Sequence, residues 1–256
     1  MPPKESTSLS DDLHAEYNFD YRLARPNRFT AQRLEVSRSP LTELHLIRHA
    51  ESEANAGLST VSPAVIALTE RGQRQSAYIP AAITVPPTLI VTSPYLRTKQ
   101  SAEPTVARFS GARQEEWPIQ EFTYLCLTTS ANTSRAQRTP HRLAYWERCD
   151  PEYVDGEGTE SFAELIGRVQ DTLTRLQSSP HPRIALFTHG LFIQTLFWYE
   201  SQRRPAIDAQ SMRECYNFSS SFTVPNASII KAHLDETGRL HFAPVSTEHL
   251  APELLS

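Results

Sequence analysis

The sequence is short of the features that mark secreted, membrane-spanning and nucleic-acid-binding proteins. Its 256 residues contain only three cysteines, an odd and sparse set that predicts neither a disulfide framework nor a cysteine metal site. No stretch approaches the roughly 20 consecutive apolar residues that cross a bilayer, and the first residues lack the apolar run of a signal peptide. We therefore expect free thiols in a reducing, cytoplasmic setting and no membrane partner.

An excess of positive charge is also missing. Lys and Arg number 25 against 29 Asp and Glu, which gives a net charge of -4 at pH 7. This balance argues against a nucleic-acid partner, although it is compatible with a local basic pocket. With 39% hydrophobic and 21% charged residues, the composition is typical of a globular protein.

Residues 1–40 differ in character from the remainder of the chain. They are polar and mixed, which predicts an N-terminal extension that is partly disordered. Its scattered aromatic residues could dock on the same chain or on a second subunit, so a homodimer is left open. The motifs described below span most of residues 41–256, and we therefore predict one catalytic domain there, with a cap insertion at about 122–158.

Helical and strand patterns alternate along residues 41–256. This alternation predicts an α/β fold, a three-layer α/β/α sandwich whose central sheet is largely parallel with an antiparallel edge. Helix starts are predicted at Thr69, at Ser93 before Pro94, and at Ser161, which forms a capping box with Glu164. The predicted strands are residues 42–47, 88–92, 117–121, 183–187, 227–233 and 240–245. The predicted helices are residues 70–83, 93–109, 161–177 and 191–200, with a partly helical cap around 140–149.

An Arg-His pair stands at the end of the first predicted strand. Arg48 and His49 follow the apolar run 44–47, where that strand would emerge from the sheet. Open α/β sheets bind their ligands at the carboxyl ends of parallel strands. The pair therefore predicts an anion site with a titratable or nucleophilic imidazole.

Three further stretches complete a pattern with this pair. They are Leu-Thr-Glu-Arg-Gly at 68–72, Ser-Pro-Tyr-Leu-Arg-Thr-Lys-Gln-Ser-Ala at 93–102 and Thr-His-Gly at 188–190. In order, the four stretches resemble the Arg-His-Gly, Leu-Thr-x-x-Gly, Ser-x-x-x-Arg-Thr-x-Gln-Thr-Ala and His-Gly elements of the histidine phosphatase superfamily, in its phosphoglycerate mutase-like branch. The resemblance runs from about residue 43 to residue 249, and it implies phosphoryl chemistry on the fold described above.

Phosphoryl transfer requires cations for the oxygens and a nucleophile for phosphorus. Arg48 and Arg97 are the expected clamps, because a guanidinium is always charged and matches phosphate oxygens bidentately. His49 is the predicted nucleophile, which would form a phosphohistidine that water later hydrolyses. Ala50 replaces the family's glycine, so its backbone must avoid a conformation open only to glycine. With two arginines and two histidines at the site, we expect no metal or other cofactor.

The resemblance also implies the remaining catalytic roles. His189 is expected to donate to the phosphoryl group, helped by the N terminus of the helix that follows it. Glu121 is the predicted general acid, which protonates the leaving oxygen and then deprotonates the attacking water. Asp155 and Glu157, in a Gly-flanked loop, remain alternatives for that role.

Substrate contacts are predicted on the loop after the nucleophile, beside His189 and in the cap. Ser52, Asn55 and Gly190 are expected to contact the phosphorylated substrate, and Arg138 is expected to do so from the cap. The cap carries three arginines that would set substrate choice: Arg135, Arg138 and Arg142. If they face the site, we expect a small substrate with a second anionic group.

Motifs of two groups within the family are absent from this chain, and their absence narrows the expected activity. The chain has no Tyr-Gly-x-Leu-Gln-Gly-Leu-Asn run, which weighs against a phosphoglycerate mutase, and no Arg-His-Gly-x-Arg-x-Pro or His-Asp pair of the acid phosphatase branch. We therefore predict a metal-independent phosphatase that hydrolyses phosphomonoesters through a phosphohistidine on His49. Two alternatives stay open: a phosphate-ligand sensor or scaffold with little turnover, and a protein phosphatase acting on phosphohistidine or phosphotyrosine.

Overall fold

The structure is a computed structural model that describes residues 42–126, 130–203 and 205–255, apart from the side chain of Arg135. The extension predicted at residues 1–40 lies outside the described residues. The strands are β1 Glu43–Arg48, β2 Leu89–Thr92, β3 Arg113–Glu116, β4 Arg183–Thr188, β5 Ile229–Leu234 and β6 Leu240–Phe242. The main helices are α1 Glu70–Ala82, α2 Leu96–Arg108, α3 Arg135–Arg148, α4 Phe162–Gln177, α5 Gly190–Ser201 and α6 Ala209–Ser221, with short 3-10 helices at Pro63–Val65 and Pro252–Leu254.

The strands form one six-stranded sheet in the order β3-β2-β4-β1-β5-β6. Strands β3, β2, β4 and β1 run parallel, whereas β5 and β6 continue the sheet in antiparallel pairs. The predicted α/β fold with a largely parallel sheet and an antiparallel edge is therefore confirmed. Within the described residues, no helix is both long enough and apolar enough to cross a membrane.

The central position of β1 follows from its residues. β1 pairs with β4 on one side and with β5 on the other. Its Leu44 and Leu46 are buried in the larger core with residues of α4 and α5, whereas Ile47 is buried in the smaller core with residues of α1 and α2. A strand that is apolar toward both faces can only be satisfied between two helical layers. The apolar run therefore places Arg48 at the carboxyl end of a central strand.

The capping predictions have mixed outcomes. Thr69 caps α1 by accepting a hydrogen bond from the amide of Gly72, and Ser161 and Glu164 form the predicted capping box of α4. The prediction for Ser93 is wrong, because α2 begins at Leu96 with no side-chain cap. The Ser93 hydroxyl is buried and instead contacts His189.

The third strand also corrects a prediction. It occupies Arg113–Glu116 rather than residues 117–121. β3 is an edge strand that pairs only with β2, so its polar side chains face solvent and carry no apolar signal. The apolar residues Trp117 and Ile119 belong to the segment that follows the strand, and both are buried in the larger core. Glu121 consequently lies in irregular chain after the strand, not at its last position.

The cap and the hairpin are close to their predictions, and α6 is additional. Helix α3 begins at Arg135, ahead of Pro140, because Ser134 and Gln137 form a capping box. The hairpin strands β5 and β6 are shorter than predicted, and the turn residue Asp235 accepts from the amides of Thr237 and Arg239. No sequence prediction covers α6, whose buried residues are few and include a serine: Ser211, Met212 and Cys215.

Candidate active site

The proposed catalytic residues meet at the carboxyl ends of the parallel strands. Arg48 at the end of β1 is in register with Thr188 at the end of β4, and the amide of His49 donates to the Thr188 carbonyl at 2.9 Å. This pairing places the next residue of each strand side by side. The ring centroids of His49 and His189 are 5.0 Å apart, and both side chains are buried.

The tautomer of His49 can be assigned from its neighbours. Nδ1 lies 2.7 Å from the carbonyl oxygen of Ala50, which can only accept, so Nδ1 carries the proton. Nε2 then holds the lone pair, and it accepts a hydrogen bond from Nε of Arg97 at 3.2 Å. The nitrogen that must attack phosphorus is therefore the one next to a guanidinium. Ala50 itself has no positive φ, so the absence of glycine at this position is accommodated.

Both guanidinium groups are held by backbone carbonyls. Arg97 is 5% exposed and donates from Nη1 to the Pro63 carbonyl at 2.6 Å. Burial lowers the pKa of Arg97 to about 10, so the group is still a cation near neutral pH. Arg48 donates to the carbonyl of Val224. Gly190 leaves room for it, because a Cβ at that position would lie 3.3 Å from Arg48 Nε.

His189 is positioned by a residue that sequence reasoning assigned to another role. Its Nε2 lies 2.7 Å from Oγ of Ser93, which also accepts from the amide of Tyr95 at 3.2 Å. Its Nδ1 is buried and has no hydrogen-bond partner among the described residues. When Ser93 donates to Nε2, Nδ1 must carry the proton, which is the donor that an anion requires. Ser93 lies within the matched motif, and that was the available signal.

Glu121 lines the same cavity as Arg48, His49 and Arg97. Its Oε2 accepts from the amide of Leu191 at 3.3 Å, and its Oε1 accepts from the amide of Phe122 at 3.2 Å. The N terminus of α5 therefore orients the carboxylate.

The segment that carries Glu121 is anchored by an ion pair that the sequence did not point to. Arg168 donates from Nη1 to the carbonyls of Pro118 and Gln120, at 2.9 Å each. Its Nη2 also lies 2.6 Å from Glu160, whose Oε1 accepts from the amide of Thr123. These bonds hold the chain on both sides of Glu121, which compensates for the absence of a strand there.

The alternative carboxylates lie elsewhere. Asp155 accepts from the amide of Cys126 at 2.9 Å and from the hydroxyl of Tyr153 at 2.9 Å. Glu157 is exposed. Neither lines the cavity that holds His49. The geometry thus brings Glu121, but neither Asp155 nor Glu157, to the proposed nucleophile.

The loop after His49 presents an amide to the cavity. Oδ1 of Asn55 accepts from the amide and the hydroxyl of Ser52 and from Nδ2 of Asn226. With its oxygen committed, the NH₂ group of Asn55 is the part available to an anion, and Asn55 and Ser52 both line the cavity. Asn226, which sequence reasoning missed, also donates to the His49 carbonyl at 3.1 Å and ties β5 to this loop.

The Leu-Thr-x-x-Gly stretch is bonded to the loop that follows His49. The amide of Thr69 donates to the carbonyl of Glu51 at 3.0 Å, and Arg71 lies 3.1 Å from the Glu51 carboxylate. Gln75 accepts from the Glu51 amide at 2.8 Å. The start of α1 is therefore bonded to the backbone two residues after His49. Gly72 permits this approach, because a Cβ there would lie only 2.0 Å from the Glu51 carbonyl oxygen.

We expect Gly72→Ala to lower the free energy of unfolding by about 3 kcal/mol, since either the loop or the helix must move. The displacement would also lower kcat, because His49 is on the same loop. Urea denaturation and steady-state rates measure both effects. Gly167→Ala is the matched control: Gly167 is also helical, and its Cβ would meet nothing within 4 Å. That variant should be more stable by about 0.5–1 kcal/mol. Equal effects of the two substitutions would contradict the role given to Gly72.

Burial and nearby positive charge keep the two histidines neutral. Burial, and after it the charges of Arg97 and Arg48, holds the pKa of His49 well below its ordinary value. Burial followed by the Arg97 charge does the same to the pKa of His189. Neutral imidazole is the form that has a lone pair for attack.

These lowered pKa values predict a loss of stability in acid. In the unfolded chain the histidines take up protons near pH 6.5, whereas in the folded chain they do not. The unfolded state then binds more protons, so stability is full above about pH 6.5 and falls as the pH decreases toward the folded-state pKa values. Each histidine contributes up to about 1.4 kcal/mol per pH unit in that window. Urea denaturation between pH 7 and 5 should show a shallower pH dependence for His189→Gln than for the wild-type protein, and identical slopes would contradict this.

The cavity extends away from His49 toward the cap. Its volume is about 640 Å³, and its far side is lined by side chains of α3 and α6. Arg138 and Arg142 of α3 are among them, which meets for these two arginines the condition set for the cap from the sequence. Arg135 lies outside the residues whose side chains are described. Within the described residues, no group of three or more His, Cys, Asp or Glu side chains is arranged to hold a metal ion.

Solved structures of known proteins share the fold of this chain. Among solved structures, the chain is similar to an alpha-ribazole phosphatase from Shigella flexneri, with 19% identity and a TM-score of 0.61 over 80% of this chain and 96% of that one. It is also similar to a phosphoserine phosphatase from Entamoeba histolytica, with 20% identity and a TM-score of 0.61 over 82% and 99% of the two chains. A mycobacterial glucosyl-3-phosphoglycerate phosphatase has 20% identity and a TM-score of 0.59 over 79% and 97%.

Sequence comparison gives the family directly. Comparison with curated protein sequences gives no significant match. The family model of the histidine phosphatase superfamily, branch 1, matches residues 44–239. That range includes all four motifs and every proposed catalytic residue. The chain belongs to the histidine phosphatase superfamily.

Proposed function

We propose that the protein hydrolyses small phosphomonoesters without a metal, through a phosphohistidine on His49. The observation that carries this proposal is the lone pair on Nε2 of His49. Nε2 of His49 holds a lone pair next to Arg97, on a cavity that Glu121 also lines. A nucleophile, a cation and a carboxylate thus face one space. The three similar solved structures described above are named phosphatases, which supports the same class of reaction.

In the first step, the Nε2 lone pair attacks phosphorus and the bond to the ester oxygen breaks. Glu121 in its acid form donates a proton to that oxygen, so the leaving group departs as an alcohol. Arg48 and Arg97 neutralise the phosphoryl oxygens as charge moves onto them. The Ala50 carbonyl, bonded to Nδ1, stabilises the positive charge on the imidazole ring.

In the second step, water attacks the phosphohistidine from the side that the alcohol has left. The Glu121 carboxylate takes a proton from this water, and the bond between phosphorus and Nε2 breaks. Inorganic phosphate is released, and His49 returns to its neutral form with Glu121 protonated again. His189 donates to the same phosphoryl oxygens in both steps.

The volume and the aromatic lining of the cavity favour a small substrate over a phosphoprotein. Trp146 of α3 and Tyr216 of α6 stack at 5.0 Å with 26° between their planes, and both line the cavity. A cavity of about 640 Å³ with an aromatic wall is in the range of small-molecule sites.

The proposal is tested by phosphate release from a panel of phosphomonoesters with EDTA present. We expect turnover of at least one ester class, with rates that EDTA leaves unchanged. Restoration of activity by an added divalent metal would contradict the metal-free mechanism. If no ester is hydrolysed while inorganic phosphate still raises the melting temperature, the protein is a phosphate-ligand binder rather than an enzyme.

A further inference from the structure

We infer that the substrate carries a second anionic group, a carboxylate or a phosphate, and that Arg142 binds it. This inference rests on the proposed function and specifies its substrate class. It starts from the charges around the cavity. Among the described residues, four arginines and one carboxylate line the cavity: Arg48, Arg97, Arg138 and Arg142, against Glu121. The first two flank His49 and serve the transferred phosphoryl group. Arg138 donates to the carbonyl of Thr133, so Arg142 is the candidate for a second anion.

The position of Arg142 is set by its helix and by a buried tyrosine. Residues 138, 142 and 146 are spaced four apart on α3, so they share one face, and all three line the cavity. Nε of Arg142 donates to the hydroxyl of Tyr124 at 3.2 Å. Tyr124 is 8% exposed and packs against Phe122 and Tyr145, with ring centroids 4.8 and 4.7 Å away. The Arg142 guanidinium is therefore held in place by the hydroxyl of a tyrosine that is packed in an aromatic cluster.

The chemistry of the remaining guanidinium edge indicates the ligand. Within the described residues, Arg142 forms no salt bridge, and its hydrogen bond to Tyr124 uses only Nε. Nη1 and Nη2 are left as two parallel donors, which match the two oxygens of a carboxylate or phosphate. A half-buried cation without a protein counter-ion is costly unless a ligand supplies one. Arg142 lines the cavity that holds His49, so a ligand in that cavity can supply the counter-ion.

The cavity gives such a ligand its orientation. The phosphoryl end lies at His49, where the strands end, and the second anion lies at the α3 wall. Ser219 and Ser220 of α6 and Tyr124 also line the cavity. A short polar spacer between the two anions would therefore meet hydroxyl groups.

The test uses three matched series of alkyl phosphates over a range of chain lengths. One series ends in a carboxylate, one in a second phosphate and one in an uncharged hydroxyl. For the wild-type protein we expect kcat/KM to favour one charged series over the hydroxyl series by about 10- to 100-fold at the best length. The favoured series identifies the anion. The best chain length reports the distance between the two anion sites.

Variants then assign this preference to Arg142. In Arg142→Gln the ratio of kcat/KM for the favoured charged series to kcat/KM for the hydroxyl series should fall to near one. Arg142→Lys should retain part of this preference, because lysine keeps the charge but loses the paired donors. Arg213→Gln is the matched control, because Arg213 lies exposed on α6, does not line the cavity and its loss changes the net charge equally. Melting temperatures check that each variant is folded. An unchanged ratio in folded Arg142→Gln or Arg142→Lys overturns the inference.

Binding to His49→Ala separates this inference from the proposed function. Calorimetry with the three series measures the preference without turnover. If the wild-type protein hydrolyses nothing and His49→Ala still prefers a charged series, the catalytic proposal fails and the second anion site stands. If esters are hydrolysed with no preference at any length, the second anion site fails and the catalytic proposal stands.

Discussion

The His49→Ala variant is expected to lose phosphatase activity by a factor of at least about 10⁴. The loss is large because the attacking nitrogen is removed, and the described residues that line the cavity include no other histidine. Nε2 of His49 is the ring nitrogen with a lone pair, and it is bonded to the guanidinium of Arg97 at 3.2 Å. Steady-state phosphate release from the best ester measures the effect.

The control for this variant is a histidine on the strand that leads to His49. His45 lies on β1 but lines a separate cavity at the edge of the sheet, with residues of β5 and β6. We expect His45→Ala to keep kcat/KM within about threefold of the wild-type value. Residual activity of His49→Ala within about tenfold of the wild-type value would mean that another residue, or water itself, attacks phosphorus.

The Glu121→Gln variant is expected to lose about 10²- to 10⁴-fold in kcat with alkyl phosphates, because an alkoxide leaves poorly without a proton. With p-nitrophenyl phosphate the first step should be much less affected, since p-nitrophenolate leaves without protonation. A glutamine keeps the shape of the side chain and can still contact the amide of Leu191. The dependence of the loss on the leaving group is therefore the informative measurement, and a merely structural defect would not produce it.

Two other carboxylates provide the comparison for Glu121. Glu157→Gln should behave like the wild-type protein with both kinds of ester, because Glu157 is exposed and does not line the cavity. Asp155→Asn should lower stability rather than change the leaving-group dependence, because Asp155 bonds to Cys126 and Tyr153. A leaving-group effect in either of these variants, and none in Glu121→Gln, would transfer the acid role to the loop.

The sequence predicts the parts of the site that depend on short stretches of chain. Arg48 and His49 could be placed because an apolar strand leads directly to them, and the same logic places His189 after β4. What ties the strand ends together, the pairing of β1 with β4, is long-range and follows only from the folded sheet.

Sequence reasoning fails where a side chain acts through a distant partner. Ser93 has the pattern of a helix cap, but its hydroxyl is used by His189, which lies 96 residues later. Arg168 has the pattern of an ordinary helical arginine. In the fold it donates to the carbonyls of Pro118 and Gln120, just before Glu121. Asn226 follows a region without clear periodicity and bonds to the His49 carbonyl. Each of these contacts joins elements that only the tertiary fold brings together.

Glu121 is a predicted site residue whose predicted local structure was wrong. Its prediction assumed that the apolar residues from Trp117 onward form the third strand. The strand is instead the polar run Arg113–Glu116 at the sheet edge, where solvent satisfies its side chains. Glu121 reaches the cavity because the buried segment after β3 is bonded to Arg168. The role was inferred from resemblance, and the physical support for it comes from the fold.

The passage of a phosphoryl group through His49 is tested most directly by trapping it. Rapid mixing of the Glu121→Gln variant with p-nitrophenyl phosphate, followed by quenching in base, preserves phosphohistidine for mass spectrometry. In this variant the first step remains fast and the second lacks its general base, so the intermediate should accumulate. We predict one phosphoryl group per chain, located on His49 by peptide fragmentation and formed as fast as p-nitrophenolate is released. Turnover without any covalent phosphate, or a phosphoryl group on a different residue, would contradict the mechanism.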